Sequence, residues 1–157
     1  MKERSVDRVQ AAAAEAGLAV EILTMPQSTR TAEDAAAACG CKPAQIVKSL
    51  VFEREGDGDL VLILVAGDRQ ADLAHAGAAV GARLKRADPN TVRDVTGFAI
   101  GGVAPLGHLT PLTVLMDPSL LDHAVVWAAA GAPNAVFSVD PKRLQEATAA
   151  ILLIDQA

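Results

Sequence analysis

Two runs of β-forming residues, Ile46-Val47-Lys48-Ser49-Leu50-Val51-Phe52 and Leu60 through Val65, stand on either side of Gly56-Asp57-Gly58-Asp59. Glycine and aspartate in that tight cluster favour a reversal of the chain, so the pattern predicts a β-hairpin near the middle of the sequence. Side chains alternate between the two faces of a strand, which groups Lys48 with Ile46 and Leu50 and sends Val47, Ser49 and Val51 to the other side. A lysine on so apolar a face is the first residue that asks for a function. The alternative is a stem packed on the sheet with its head reaching solvent.

Helical signals surround the hairpin. Ser5 to Gly17 reads as an amphipathic helix, followed by a strand over Ala19 to Thr24 and a loop from Pro26 to Arg30. Thr31 is placed to cap a second helix that carries Glu33 and Asp34 in its first turn and stops at Gly40. Lys42-Pro43 opens a short turn, and Asp68 to Val80 forms another helical region. Leu84 to Arg86 is extended, and Asp88-Pro89 starts a helix ending at Gly97. Phe98 to Pro111, rich in glycine and proline, is loop. Leu112 to Met116, Val125 to Ala128, Ala135 to Val139 and Ile151 to Ile154 read as strands, with a helix over Pro141 to Ala149. The sum is a mixed α+β fold.

At 157 residues, 51% of them hydrophobic, the chain suits a single compact domain over residues 1–157. Charged and turn-forming residues interrupt every apolar stretch before it reaches the roughly 18 positions of a membrane span. The amino terminus lacks a secretory h-region, and a cytoplasmic location is expected. Cys39 and Cys41, separated only by Gly40, are expected to be reduced structural thiols. His75, His108 and His123 lie far apart without a zinc-hydrolase pattern, so no metal and no cofactor is expected. His108 reads as a solvated loop residue. Fourteen basic against nineteen acidic residues give a net charge of -5, which argues against tight, stand-alone nucleic-acid binding.

Three features occur in order: Lys48-Ser49 after Gln45-Ile46-Val47, the stretch from Ala87-Asp88-Pro89 to Thr96-Gly97, and Gly101-Gly102-Val103-Ala104-Pro105-Leu106-Gly107. Together they resemble the YbaK/ProX family of aminoacyl-tRNA editing domains, also found in bacterial prolyl-tRNA synthetase, whose members carry a lysine on a core strand and a later GxxxP loop. The resemblance runs from about Val9 to Ile154. It implies a central, mixed, mostly antiparallel and barrel-like sheet flanked by helices. It also implies trans-editing: hydrolysis of the ester of a tRNA mischarged with a small amino acid, without a metal or a covalent protein nucleophile.

Under that reading Lys48 orients the tRNA 3′ end, and the amides of Gly101, Gly102, Val103 and Ala104, with Pro105 fixing the end of the loop, stabilise the tetrahedral intermediate. Ser49, Gly131 and Asn134 are expected at the substrate, beside an apolar wall of Met25, Val65 and Phe98. Met25, Ala104 and the segment Gly131-Ala132-Pro133-Asn134 depart from the cysteinyl-directed relatives, and the histidine-rich segment of the alanyl-directed group is absent. Loose substrate choice follows, since an apolar pocket separates substrates one methylene apart by only about 1 to 3 kcal/mol. A synthetase or elongation factor is the expected deliverer of the aminoacyl-tRNA, and the protein is expected to be a monomer or weak homodimer. Two other functions fit the residues: a non-catalytic module that binds an amino acid or aminoacyl-tRNA and docks to a synthetase, and an unrelated hydrolase using Asp68 or Asp72 with His75.

Overall fold

The computed structural model describes residues 5–26, 29 and 31–153. Within them the chain runs α1 (Ser5–Glu15), β1 (Leu23–Thr24), α2 (Ala32–Cys39), a 3-10 turn (Pro43–Gln45), β2 (Ile46–Arg54), β3 (Leu60–Ala66), α3 (Leu73–Val80), β4 (Leu84–Arg86) and α4 (Pro89–Thr96). It continues through β5 (Thr113–Met116), a second 3-10 turn (Pro118–Asp122), β6 (Val126–Ala129), β7 (Ala135–Val139), α5 (Pro141–Thr148) and β8 (Ile151–Leu152). Gln27, Ser28 and Arg30 of the expected 26–30 loop, and Ile154 of the expected last strand, lie outside the described residues.

The capping chemistry works as the sequence suggests. The Thr31 hydroxyl accepts from the Asp34 amide at 3.0 Å, and Gly40 closes α2 in the left-handed region at φ 69°. One Asp88 carboxylate oxygen accepts from the amides of Asn90 and Thr91, Pro89 occupies the first turn, and Gly97 ends α4 at φ 79°. The β2–β3 hairpin forms in continuous register from Val47↔Ala66 to Glu53↔Leu60.

All seven residues of β3 are buried. One face, Leu62 and Leu64, joins Val47 and Val51 in a core shared with Val9 of α1, Val92 of α4 and Phe137 of β7. The other, Val61, Ile63 and Val65, packs with Leu50 and Phe52 against Ala76 of α3. A strand covered on both faces has no polar side to show, which is why its sequence reads as an unbroken apolar run.

The eight strands form one sheet in the order β1-β7-β6-β2-β3-β5-β8, with β4 paired to β2. The mixture of senses is as expected: β1–β7, β2–β3, β2–β4 and β6–β7 are antiparallel, whereas β2–β6, β3–β5 and β5–β8 are parallel. The expected barrel closure is corrected. β1 and β8 are the two ends of the sheet and do not pair, so the sheet stays open. The expected strand over Ala19 to Thr24 shrinks to two residues, because only Leu23 and Thr24 find partners, on Val136 and Ala135.

A candidate active-site cleft at an interrupted sheet edge

On one edge β2 is paired to β3 along its length. On the other it is shared: β6 pairs with Ile46 and Val47, and β4 pairs with Phe52, Glu53 and Arg54. Residues 48–51 between them have no strand neighbour on that side. The gap opens into a cleft of about 370 Å³, whose walls include Ala32 and Ala35 of α2, Ala128 and Ala129 of β6, Arg86 and Ala87 after β4, and Ile100, Gly101 and Val103 of the glycine loop. Among the described lining residues there is no carboxylate, imidazole or thiol. Lys48 and Arg86 are the lining residues with charged side chains, and Thr29, Thr31 and Ser49 carry its hydroxyls. A cation-only lining in a chain of net charge -5 gives the cleft a local field opposite in sign to the whole molecule.

The structure brings some of the expected site residues together and separates others. Lys48, Ser49, Gly101 and Val103 line the cleft. The Lys48 ammonium donates to the carbonyl of Arg69, in the turn between β3 and α3. Ser49 Oγ is buried and has no hydrogen-bond partner among the described residues. Gly101, at φ 96°, is exposed at the rim in a conformation that suits glycine, and no described residue accepts from the Gly101 or Val103 amide. The Gly102 amide is already engaged, donating to the Ala99 carbonyl at 3.0 Å. Gly102 itself packs against Ala132, whose backbone would lie 3.3 Å from any added Cβ. Ala104 and Pro105 are buried behind the rim, and the Ala104 carbonyl contacts His108 Nε2 at 2.8 Å.

The expected apolar wall is dispersed. Val65 is in the core on the α3 side, 3% exposed, and Phe98 is in the main core, 1% exposed; both are absent from the cleft lining. Met25 and Asn134 clasp each other instead: the Met25 amide donates to the Asn134 carbonyl, and Asn134 Nδ2 donates to the Met25 carbonyl at 3.0 Å. The turn that contains Gly131, at φ 96°, also receives the Thr29 amide and hydroxyl on its Pro133 carbonyl. Met25, Gly131 and Asn134 therefore position the segment that carries Thr29 at the cleft and do not line it. Asp72 is an ordinary cap, accepting from the His75 amide at 3.0 Å, and neither it nor Asp68 lines the cleft.

Arg8 escaped the sequence reading and holds both ends of the glycine loop. Its Nη2 donates to the Gly97 carbonyl at 2.7 Å, its Nε donates to the Gly107 carbonyl at 3.4 Å, and its guanidinium lies 4.9 Å from the Phe98 ring centroid. His108 stands edge-on to the same ring. It is half-buried and engaged, which corrects the expectation of a solvated histidine. Burial lowers its pKa, the contact with the Ala104 carbonyl raises it, and Arg8 lowers it further. At the end of α2, outside the cleft, burial pushes the Cys39 thiol up to about 11, with a smaller contribution from Cys41, and both cysteines are free. Arg86, Ile100 and Trp127 are cleft residues that no local pattern marks. They meet there only because β4, the loop and β6 converge on one edge of β2.

Fold and cleft together define a small α+β pocket domain whose polar equipment is chiefly backbone and hydroxyl. The chain belongs to the aminoacyl-tRNA editing domain family, which residues 26–147 match. A crystal structure described as a candidate trans-editing enzyme for prolyl tRNA synthetase superposes with a TM-score of 0.88 at 46% identity, covering 97% of this chain and 96% of that one. The proline–tRNA ligase of Desulforamulus reducens is 34% identical over 118 residues, 73% of this chain and 20% of the ligase. The multifunctional Ser/Thr-tRNA deacylase ProXp-y of Escherichia coli K12 is 32% identical over 87 residues, 54% of this chain and 52% of that protein. The chain thus spans about a fifth of that ligase and about half of that deacylase. No helix among the described residues is long and apolar enough to cross a membrane.

Proposed function

We propose that this chain is a trans-acting deacylase that hydrolyses the ester of a small amino acid mischarged onto tRNA. The observation that carries the reading is the pair of unengaged amides of Gly101, at the rim, and Val103, a buried lining residue, in a cleft whose described lining offers no general base. An aminoacyl ester is already activated, so positioning and stabilisation of charge on the carbonyl oxygen supply most of what hydrolysis requires. Water adds its oxygen to the acyl carbon, the developing oxyanion is received by the Gly101 and Val103 amides, and collapse returns the electron pair and a proton to the ribose oxygen. Solvent or the neighbouring ribose hydroxyl carries the proton. This route invokes neither a metal nor a covalent protein intermediate.

Lys48 orients the 3′ end in this proposal. An ammonium has three donors, and the contact with the Arg69 carbonyl occupies one. Delivery by a synthetase or elongation factor in the cytoplasm completes the reading. That same contact is also the observation that favours a non-catalytic aminoacyl-binding module, in which Lys48 merely braces the β3–α3 turn.

Single-turnover deacylation of Ala-, Ser-, Thr- and Cys-tRNA by wild type, Lys48→Ala and Gly101→Val distinguishes them. The deacylase reading expects a rate above buffer on at least one substrate. It expects Gly101→Val to cost about 3 to 4 kcal/mol of transition-state stabilisation, and Lys48→Ala to abolish a measurable rate. Folded wild-type protein with no activity on any of the four favours the binding module.

A further inference from the structure

The backbone hydrogen bonds of β2 fix which residues address the gap. The Ile46 carbonyl accepts from Gly67, and the Arg54 amide donates to Asp59, so even-numbered residues face β3. The Glu55 amide donates to Arg83 after β3 has been left behind, so odd-numbered residues face the β4 and β6 side. Val47 belongs to the β6 pairing and Val51 abuts the β4 pairing. Ser49 is left in the middle of the gap, its N–H and C=O turned toward the cleft beside its own buried, unpartnered Oγ.

We infer that Ser49 is the receptor for the α-ammonium of the aminoacyl group, its main-chain carbonyl and Oγ accepting from the ammonium while its N–H remains for an acceptor on the same substrate. The inference rests on the deacylase reading and specifies how that site reads an amino acid. A cation brought out of water needs acceptors. The described cleft lining provides no carboxylate; the Thr29 hydroxyl gives its proton to the Pro133 carbonyl and the Thr31 hydroxyl accepts from the Asp34 amide, so each is already held by a partner but keeps acceptor capacity. Ser49 adds two acceptors on one residue, a main-chain carbonyl in the strand gap and an Oγ with no partner among the described residues, whereas the unengaged Gly101 and Val103 amides are donors. Recognition through the main-chain part of the amino acid leaves its side chain unread, which accords with a cleft whose walls are mostly small and apolar.

The test compares alanyl-, seryl- and threonyl-tRNA with the α-hydroxyacyl-tRNAs made from them by nitrous acid, which replaces the ammonium by a hydroxyl of similar size. Each rate is expressed as the enhancement over the same ester in buffer, because the ammonium itself makes the ester more labile. The expected result is a loss of roughly 100-fold or more in that enhancement for the α-hydroxy substrates. In Ser49→Ala the enhancement on aminoacyl-tRNA falls about tenfold and the gap between the two substrate series narrows, while the melting temperature does not fall, since the lost hydroxyl had no partner. Enhancements within about threefold of each other in wild type, or an unchanged gap in Ser49→Ala, overturn the assignment to Ser49 while leaving the deacylase reading intact. Absence of hydrolysis of every unmodified substrate overturns both.

Discussion

Arg8 shows how much of the site depends on a residue that never touches the cleft. Its two bonds to the Gly97 and Gly107 carbonyls close the stretch that contains Gly101 and Val103, and its charge lies over Phe98. Hydrogen bonds from a charged donor each contribute about 1.5 to 3 kcal/mol. Arg8→Ala is expected to lower stability by roughly 2 to 4 kcal/mol. It is expected to speed amide exchange over residues 98–107 and reduce the single-turnover rate. The same variant removes one of the influences that lower the His108 pKa, so an NMR titration of His108 should move upward. An unmoved His108 with normal loop exchange would show that Arg8 is ordinary surface. Nothing in the pattern around Arg8 announces this role, because its partners lie 89 and 99 positions away.

Among elements, the junction of α2, β2 and β3 supports the α2 wall of the cleft from behind, where Gly67 packs on Ala32 and Ile46. Gly67 follows β3 and donates to the Ile46 carbonyl at 2.8 Å. A Cβ there would collide with the Pro43 carbonyl oxygen and sit 2.8 Å from Ala32 Cβ and 3.1 Å from Ile46 Cβ. Its φ is not positive, so the demand for glycine is one of space and not of backbone conformation. Gly67→Ala is expected to cost about 3 kcal/mol, a fall of roughly 6 to 12 °C in melting temperature by calorimetry. A change under about 2 °C would mean that the junction yields freely. At this scale the sequence is legible where a local rule operates. Thr31, Asp88-Pro89 and Gly97 mark helix ends by chemistry within a few residues, and the glycine–aspartate cluster marks the hairpin. The strand expected over Ala19 to Thr24 was not legible, because apolar residues there pack on the core without a neighbouring strand to pair with.

For the whole molecule, a net charge of -5 and a cleft whose charged lining residues are both cations imply capture of only the end of a polyanion. Each neutralised phosphate of a single strand contributes a slope of about -0.7 to log K against log salt. With Lys48 and Arg86 as the contacts, the slope for aminoacyl-tRNA binding is expected near -1 to -1.5, obtained from fluorescence anisotropy across a salt series. A slope steeper than about -4 would require a basic surface beyond the cleft and would make a delivering partner unnecessary.

Local chemistry decided the α+β class, the hairpin, the capped helices and the glycine loop, because each depends on interactions within a few residues of chain. The amino-acid order also carried the resemblance that pointed to an editing domain. Tertiary structure decided the rest. Parallel pairing of β2 with β6 joins Ile46 to Trp127, and no short-range signal reports that choice. The open sheet follows from the two terminal strands finding no mutual partner, although each segment alone would suit a barrel. Whether Phe98 and Val65 wall a pocket or fill a core depends on which face is covered, and alternation names the face without naming its cover. Ser49 gains its position in the same way: the sequence places it on a strand, and only the divergence of β4 from β6 leaves its backbone open to the cleft.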